Sequence, residues 1–320
     1  MDLKFLLMLQ DFRNGAGDCL AEFLNKMTFL GDLYTTIAVV AIIYWCVSKK
    51  LGVFLMLGWS GNRLLNGFLK ATFCVYRPWI RDPRIIPYGD AMSNATGYSF
   101  PSGHATNAGT LFGGGAVRKD FPIILRVALI VVVALVGFSR MYLGVHTPQD
   151  VLFGAGQSLL VMWLTFKLIQ WLEVNPQKDW LVASVGIALA VALAVYAALK
   201  SYPADYDAEG RLIVDGKKMV DDTFRCVGWI LGFFVGWILE RRFVRFTTDV
   251  PLMTKLTRCV VGMLGLYVVT LILMPWIKVT LSGPVGAVLS CFVQMLYVTF
   301  IFPWTLKLLE RRESTPLFIG

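Results

Sequence analysis

Residues 122–150 of this 320-residue chain are PIILRVALIVVVALVGFSRMYLGVHTPQD. The stretch from Pro122 to Tyr142 is almost wholly apolar, and about 20 such residues are what a helix needs to cross the hydrocarbon core of a bilayer. Its end is polar, because Arg140 is followed closely by His146 and Asp150. The stretch therefore predicts a membrane-spanning helix that ends in a cluster of reactive side chains.

The composition of the whole chain agrees with a membrane protein. Hydrophobic residues make up 57% of it, charged residues 16%, and the mean hydropathy is +0.64, whereas soluble domains carry about 25% charged residues. The net charge of +9 does not indicate nucleic acid, because the cations gather at the ends of apolar runs rather than along a basic stripe with aromatics. The 6 cysteines are scattered without a CxxC pair, which favours reduced thiols over disulfides or a zinc site.

Apolar runs along the chain predict an all-α, polytopic bundle of about nine transmembrane helices. The predicted spans are approximately 33–47, 51–75, 101–117, 122–142, 148–172, 180–199, 223–239, 256–277 and 285–308. The span at 101–117 is weakly hydrophobic and would need protein neighbours. Residues 1–30 form an amphipathic segment that we expect to lie at the membrane interface, and no cleavable signal peptide is expected there.

The basic residues predict the orientation of the chain. They fall on alternate loops, which should therefore be cytoplasmic; these are Lys49, Lys50, Arg118, Lys119, Lys178, Arg241, Arg242, Arg245, Lys255, Arg258, Arg311 and Arg312. The polar segment 201–222 then lies on the exterior, where Asp215-Gly216 favours a hairpin turn, with a disordered loop as the alternative. Both histidines of the chain, His104 and His146, would face that same side.

A cluster of cations precedes the first exterior loop. Lys70 and Arg77 are separated by seven positions, so about two helical turns would place them on one face, and Pro78 would then end the helix. Arg63 would share that face near mid-bilayer, either as a functional charge or as a structural one satisfied by a buried partner.

Three motifs together, Lys-x6-Arg-Pro at 70–78, Pro-Ser-Gly-His at 101–104 and Ser-Arg-x5-His-x3-Asp at 139–150, resemble the signature of the type 2 phosphatidic acid phosphatase superfamily. That superfamily includes lipid phosphate phosphatases, undecaprenyl pyrophosphate phosphatases and glucose-6-phosphatase. The resemblance implies a six-helix phosphatase core within residues 31–200. The exterior segment 201–222 and a three-helix membrane extension at 223–320 follow from the polarity and the apolar runs of the chain, since the last three spans are not part of that common core.

The residue chemistry indicates the same activity. Lys70, Arg77 and Arg140 supply the fixed cations that a phosphate dianion needs, while Ser102 and the Gly103 amide are expected where a helix starts, a natural anion site. Asp150 lies one helical turn from His146 and can orient its ring.

The mechanism that the resemblance implies is double displacement. His146 attacks phosphorus to form a phosphohistidine, and His104 protonates the leaving oxygen and later takes a proton from water. No metal or other cofactor is expected, because no carboxylate cluster able to hold magnesium is visible in the sequence.

The substrate is less well defined by the sequence. Trp79 and Tyr88 beside Arg81 favour a phosphorylated amphiphile, either a lipid phosphate or an isoprenyl pyrophosphate, although these aromatics could also merely anchor the loop among membrane lipids. A soluble ester such as a sugar phosphate is the alternative, and an anion transporter is a weaker one. We expect a multi-pass protein of the plasma membrane with its site on the exterior, periplasmic or luminal side.

Overall fold

The computed structural model describes residues 2–93, 95–207 and 209–313, and this part of the chain is predominantly helical. The α-helices are α1 (Asp2–Ala16), α2 (Asp18–Met27), α3 (Leu33–Ile42), α4 (Lys49–Phe73), α5 (Pro78–Arg81), α6 (Gly103–Ala108), α7 (Gly114–Ala116), α8 (Ile123–Tyr142), α9 (Pro148–Val174), α10 (Asp179–Leu199), α11 (Gly216–Leu239), α12 (Leu252–Val268), α13 (Met274–Thr280), α14 (Pro284–Leu296) and α15 (Phe302–Glu313). Short π-helical turns continue several of them, at Ile43–Val47, Gly109–Gly113, Glu240–Val244, Val269–Leu273 and Tyr297–Ile301. The all-α prediction is confirmed.

Six helical segments in the described residues are long and apolar enough to cross a membrane. They are Ile123–Tyr142, Pro148–Val174, Pro176–Leu199, Gly216–Val244, Leu252–Thr280 and Pro284–Leu309, and each corresponds to a predicted span. A seventh would combine Asp18–Gly31 with Leu33–Val47, two pieces bent by 56°. The predicted count of nine therefore stays a prediction.

The other two predicted spans are helical but differ from the six. The helix α4 is 25 residues long, yet Arg63 and Lys70 lie within it and lower its hydropathy. The helical segment from Gly103 to Ala116 begins two residues later than predicted, and it is shorter than the roughly 18 residues that a bilayer core requires. It lies beside the polar cluster, where small residues allow close helix contacts.

One compact unit comprises Met1–Ile37, Leu57–Ile169 and Tyr196–Val220, and it contains all three motifs. Within it the N-terminal helices pack against the loop after α5. Leu6 and Leu9 are buried against Ile85, and Arg13 donates to the carbonyl oxygens of Tyr142 and Ile86 at 3.0 and 2.7 Å. The N-terminal segment thus packs against the loop that follows the first motif and stabilises it.

The second compact unit comprises Ala38–Met56, Gln170–Val195 and Asp221–Gly320. Helices α11 and α14 are in close contact here. A Cβ on Gly228 would lie only 2.2 Å from the carbonyl oxygen of Val288, so this position has room for glycine alone. The Trp229 indole donates to Gln294 at 2.7 Å within the same contact. Glycines at a helix crossing and a buried polar pair are typical of helix association in membranes.

The predicted hairpin centre at Asp215-Gly216 is wrong. Gly216 begins α11, and the Asp215 carboxylate accepts from the Lys217 amide at 2.9 Å as a helix cap. Aspartate suits a helix start as well as a turn, so the pattern alone could not distinguish the two. A turn does form earlier, where Tyr206 and Leu212 make an isolated antiparallel bridge.

Candidate active site

The third motif lies where α8 ends and α9 begins. The turn between them includes Gly144 at φ +76°, a backbone conformation that favours glycine. Thr147 and Asp150 then form a capping box, since Asp150 Oδ2 accepts from the Thr147 amide at 2.8 Å and Thr147 Oγ1 from the Asp150 amide at 3.4 Å. Asp150 Oδ2 is also 3.4 Å from His146 Nδ1. The predicted contact between the imidazole and the carboxylate is therefore present, on a rigid helix start.

Ser99 completes this arrangement, and the sequence analysis missed it. Its hydroxyl donates to Asp150 Oδ2 at 2.6 Å and is 3.4 Å from His146 Nδ1. The side chain is fully buried, and its amide donates to the Val75 carbonyl at 2.7 Å. A serine two positions before Pro101 carries no sequence signal of its own, because the contact joins residues 51 positions apart.

Arg77 contacts the other nitrogen of the same imidazole. Its Nη1 is 2.9 Å from His146 Nε2 and 3.0 Å from the Val145 carbonyl oxygen. A guanidinium can only donate, so Nε2 is the acceptor and Nδ1 carries the proton that faces Asp150. Each ring nitrogen of His146 thus has a partner, and Nε2 is the unprotonated nitrogen, whose lone pair accepts from Arg77 and becomes available for attack when another acceptor takes that donor.

The expectation that Lys70 and Arg77 share a helical face is wrong. Helix α4 ends at Phe73, Cys74 adopts φ 47°, and Pro78 begins α5 instead of ending α4. A left-handed residue other than glycine is rare, which is why the sequence did not predict this break. It turns the chain so that Arg77 lies against the loop at residues 96–97.

That loop nevertheless brings the two cations together. The Lys70 ammonium donates to the carbonyl oxygens of Tyr98 and Ser99 at 2.8 and 3.4 Å. Arg77 donates to those of Thr96 and Gly97, both at 3.0 Å. The extended segment 96–99 therefore holds both cations and, through the Ser99 hydroxyl, the carboxylate that orients His146.

The second motif begins a helix, as predicted. Ser102 is the N-cap of α6, with its hydroxyl accepting from the Ala105 amide at 3.4 Å, and its own amide donates to the Asp150 carbonyl at 3.0 Å. A Cβ placed on Gly103 would meet nothing within 4 Å, so open space lies above this helix start. Backbone N–H groups at such a position can bind an anion.

Close packing fixes this helix start against α9. A Cβ on Gly154 would meet the Ser102 carbonyl oxygen at 2.8 Å, and Thr106 Oγ1 donates to the carbonyl oxygens of Ser102 and Gly154 at 2.9 and 3.3 Å. His104, which is half-buried on α6, interacts electrostatically with Arg140, His146, Arg77 and Lys70. The three motifs thus converge on one cluster.

Arg140 is the cation of that cluster with unused donors. Arg140 is 1% exposed, and its Nη1 donates to Thr28 Oγ1 at 3.3 Å. Its Nε and Nη2 atoms are buried and lack a hydrogen-bond partner among the described residues. Burying guanidinium N–H groups that have no acceptor costs free energy. An anion bound at this position would supply acceptors for Nε and Nη2.

Two of the three residues predicted at the substrate mouth, Trp79 and Tyr88, pack against one hydrophobic cluster, but their polar contacts differ. Trp79 lies beside Arg77, whose guanidinium carbon is 5.9 Å from the indole centroid, and it lines a cavity next to the cluster. Tyr88 instead contacts the N-terminal helices, through Asp18 at 3.3 Å, and Arg81 pairs with Asp2 at 3.0 Å. Only the first of these three is among the side chains that line that cavity.

Arg63 lies on α4 away from these contacts, with its guanidinium carbon 5.9 Å from the Trp59 ring centroid.

The cluster combines cations with a neutral imidazole. Burial lowers the pKa of His146 well below its ordinary value, and the charge of Arg77 lowers it further against the opposing effect of Asp150. Neutral imidazole is the nucleophilic form. Among the residues described by the structure, no three His, Cys, Asp or Glu side chains lie together as a metal site would need. The arrangement can hold a phosphoryl group with fixed cations and attack it.

Two family models match the chain. The PAP2 superfamily model matches residues 37–173, and the model of the transmembrane extension of PAP2 superfamily phosphatases matches residues 224–314. The first match contains all the cluster residues described above. No solved structure matches the chain.

Curated relatives give the same family. The chain is 32% identical to phosphatidylglycerophosphatase B of Bacillus subtilis over 157 residues, 45% of this chain and 73% of the relative. It is 30% identical to undecaprenyl-diphosphatase of Sulfolobus acidocaldarius over 160 residues, 50% and 72% of the two chains, and 32% identical to lipid A 4'-phosphatase of Porphyromonas gingivalis over 127 residues, 38% and 50%. The chain belongs to the PAP2 superfamily and is a multi-pass membrane phosphatase that hydrolyses a phosphate ester or a diphosphate.

Proposed function

We propose that this protein hydrolyses a lipid phosphate or an isoprenyl diphosphate at the non-cytoplasmic face of the membrane, through a phosphohistidine intermediate on His146. The observation that carries the proposal is the 2.9 Å contact between Arg77 Nη1 and His146 Nε2. A phosphoryl oxygen that binds this guanidinium lies beside the nucleophilic lone pair. One group thus attracts the anion to the atom that attacks it.

The first step transfers the phosphoryl group to the enzyme. Nε2 of His146 forms a bond to phosphorus while the bond from phosphorus to the leaving oxygen breaks, and His104 donates a proton to that oxygen. Asp150 and Ser99 hold the Nδ1 side of the ring and stabilise the positive charge that develops on it.

The second step releases phosphate. His104, now neutral, takes a proton from a water molecule, whose oxygen attacks phosphorus, and the bond between phosphorus and Nε2 breaks. In both steps the equatorial oxygens bind Lys70, Arg77 and Arg140 together with the Ser102 and Gly103 positions at the start of α6. The unused Nε and Nη2 donors of Arg140 support its part in this role.

An amphiphilic substrate is supported by the relatives. The three named above are a phosphatidylglycerophosphatase, an undecaprenyl-diphosphatase and a lipid A phosphatase, and each name denotes a phosphorylated lipid. The apolar helices that flank the cluster would keep the distal part of the hydrocarbon chain of such a substrate in the membrane.

Sidedness rests on the charges of the chain. The motif loops at 74–102 and 143–147 lie at the opposite ends of α4 and α9 from Lys49, Lys50 and the segment near Lys178, and basic loops are typical of the cytoplasmic face. Cysteine labelling with a membrane-impermeant maleimide tests this directly. In a variant whose six free native cysteines are replaced by serine, a cysteine placed at Ser93 should react in intact cells, and one placed at Lys119 should react only after lysis.

A substrate panel tests the proposed activity. Purified protein in detergent is given phosphatidic acid, undecaprenyl diphosphate and glucose 6-phosphate, with His146→Ala as the matched blank. The proposal expects kcat/KM for at least one lipid to exceed that for the sugar phosphate by about a hundredfold. Faster hydrolysis of glucose 6-phosphate would contradict the lipid class, and labelled-ester uptake into vesicles without phosphate release would favour transport.

A further inference from the structure

A cavity of about 270 Å³ lies beside the active-site cluster. Arg77, which contacts the nucleophile, forms part of its wall, so the cavity adjoins the phosphate-binding region. Most of its remaining lining is apolar, and the large side chains in it are Trp79, Ile80, Met92, Ile213, Val214 and Met219.

Two polypeptide segments build this cavity from opposite sides. The loop that carries the first motif supplies residues 77–97, and the segment at 213–219 supplies the facing wall. The latter segment lies between the two family matches at 37–173 and 224–314. One wall is therefore part of the family region and the other is not.

The facing wall is held firmly against the motif loop. The Tyr76 hydroxyl donates to Asp205 at 2.5 Å, and Val214 and Met219 are buried against Tyr98. A Cβ on Gly97 would meet the Met219 sulfur at 2.7 Å. These contacts lie next to the 96–99 segment that holds both motif cations, so the wall has a fixed position relative to the site.

The two charged residues of the 213–219 wall, Asp215 and Lys218, do not make the cavity polar, so an apolar ligand fits it best. The Asp215 carboxylate accepts from the Lys217 amide as a helix cap, and Lys218 is exposed at the rim, where its aliphatic stem can cover apolar surface. Methionine adapts its shape to flexible apolar ligands, and Met92 and Met219 stand on opposite walls. A hydrocarbon chain suits this lining better than a second polar group.

We propose that this cavity binds the first apolar carbons that follow the phosphorylated headgroup, so that residues 213–219 select among amphiphilic substrates. The inference rests on the proposed function and deepens it, because it assigns part of the substrate to a defined pocket.

Alkyl monophosphates from butyl to octyl provide the test, since their leaving groups are chemically alike and only the chain length differs. Each buried CH₂ is worth about fourfold in an equilibrium constant. For the wild-type protein in detergent, kcat/KM should therefore rise at least about tenfold from butyl to octyl phosphate.

Tryptophan substitutions that fill the cavity should remove this rise. Ile213→Trp narrows it from the exterior segment and Met92→Trp from the motif loop, where Met92 is 52% exposed and tolerant of change. The matched control is Leu212→Trp, because Leu212 neighbours Ile213 but does not line the cavity. Both cavity variants should bring the octyl-to-butyl ratio to within about threefold of unity, and the control should keep the wild-type ratio.

The outcomes separate the two proposals. A wild-type ratio retained in both cavity variants would overturn the pocket assignment and leave the lipid phosphatase intact. A flat wild-type series would overturn the amphiphilic substrate class, and this inference with it. If Ile213→Trp does not fold, Met92→Trp decides the question on its own.

Discussion

The imidazole of His146 has a defined partner at each nitrogen. Asp150 and Ser99 lie on the Nδ1 side and Arg77 on the Nε2 side, and burial lowers the pKa of the ring so that it is neutral at pH 7. A neutral ring fixed in one tautomer needs little rearrangement before attack. These contacts support the proposed roles of His146 as the nucleophile and Arg77 as a phosphate-binding cation beside it.

The two histidines should respond differently to substitution. His146→Ala should abolish turnover of every substrate, because no covalent intermediate can form without the imidazole. His104→Ala should slow alkyl phosphates by about a hundredfold or more but spare an aryl phosphate in part, since a good leaving group needs little protonation. Comparison of kcat/KM for octyl and 4-nitrophenyl phosphate checks this. An equal loss for both esters in His104→Ala would exclude the general-acid role.

Arg140 should bind a transition-state analogue through two N–H groups of its planar guanidinium. Vanadate can adopt the five-coordinate geometry of in-line displacement and should inhibit competitively. Arg140→Lys keeps the charge but loses this planar pair of N–H groups, so it should raise the inhibition constant of vanadate about tenfold and raise KM by less.

Arg13→Lys is the matched control, because Arg13 is also buried but donates its hydrogen bonds to carbonyl oxygens, and its guanidinium lies over the Tyr88 ring, outside the motif cluster. A proportional change of the vanadate constant and KM in Arg140→Lys would show that charge alone matters.

The start of α9 is the element that aligns the site. Its capping box fixes Asp150, and its second turn packs directly on the helix start at Ser102. The sequence predicted the contact of Asp150 with His146, because two residues four positions apart lie one helical turn apart; it did not predict the capping box or the packing of Gly154. It did not predict the end of α4 at Phe73 or the role of Ser99, since a left-handed Cys74 and a contact across 51 positions depend on tertiary packing.

Two glycines of α9 offer a matched test of this packing. A Cβ on Gly154 would lie 2.8 Å from the Ser102 carbonyl oxygen, whereas one on Gly156 would meet nothing within 4 Å. Gly154→Ala should therefore displace the Ser102 turn and lower kcat about tenfold or more. Gly156→Ala should keep kcat and gain up to about 1 kcal/mol of helix stability. Phosphatase assays with thermal unfolding check both, and equal kcat values would contradict the packing role.

At the scale of the whole molecule, we propose that fixed cations supply the positive charge that a metal ion would otherwise provide. The net charge of the chain is +9, and three of its cations, Lys70, Arg77 and Arg140, lie in the motif cluster. The sequence predicted the family and the six apolar spans that the structure contains, since both depend on local patterns. The count of nine spans stays a prediction, because the segment at 101–117 forms a shorter helix beside the polar site and apolar content alone does not show whether it crosses the membrane.

Chelation should leave the activity intact. If the motif cations neutralise the phosphate, hydrolysis should survive excess EDTA without loss, whereas a two-metal phosphatase would be inactivated. The measurement is the rate of phosphate release before and after chelation, with added Mg²⁺ as the control. Loss of activity with EDTA and its recovery with Mg²⁺ would contradict this account.

The most direct test of the account is to trap the phosphorylated enzyme. His104→Ala should form the intermediate from an aryl phosphate but hydrolyse it slowly, because no base remains to activate water. After rapid quenching at alkaline pH, peptide mass spectrometry should find one phosphoryl group per chain, on His146, and none in the His104→Ala/His146→Ala double variant. A chain that releases the aryl leaving group without becoming labelled, or that carries the label on another residue, would contradict the central claim.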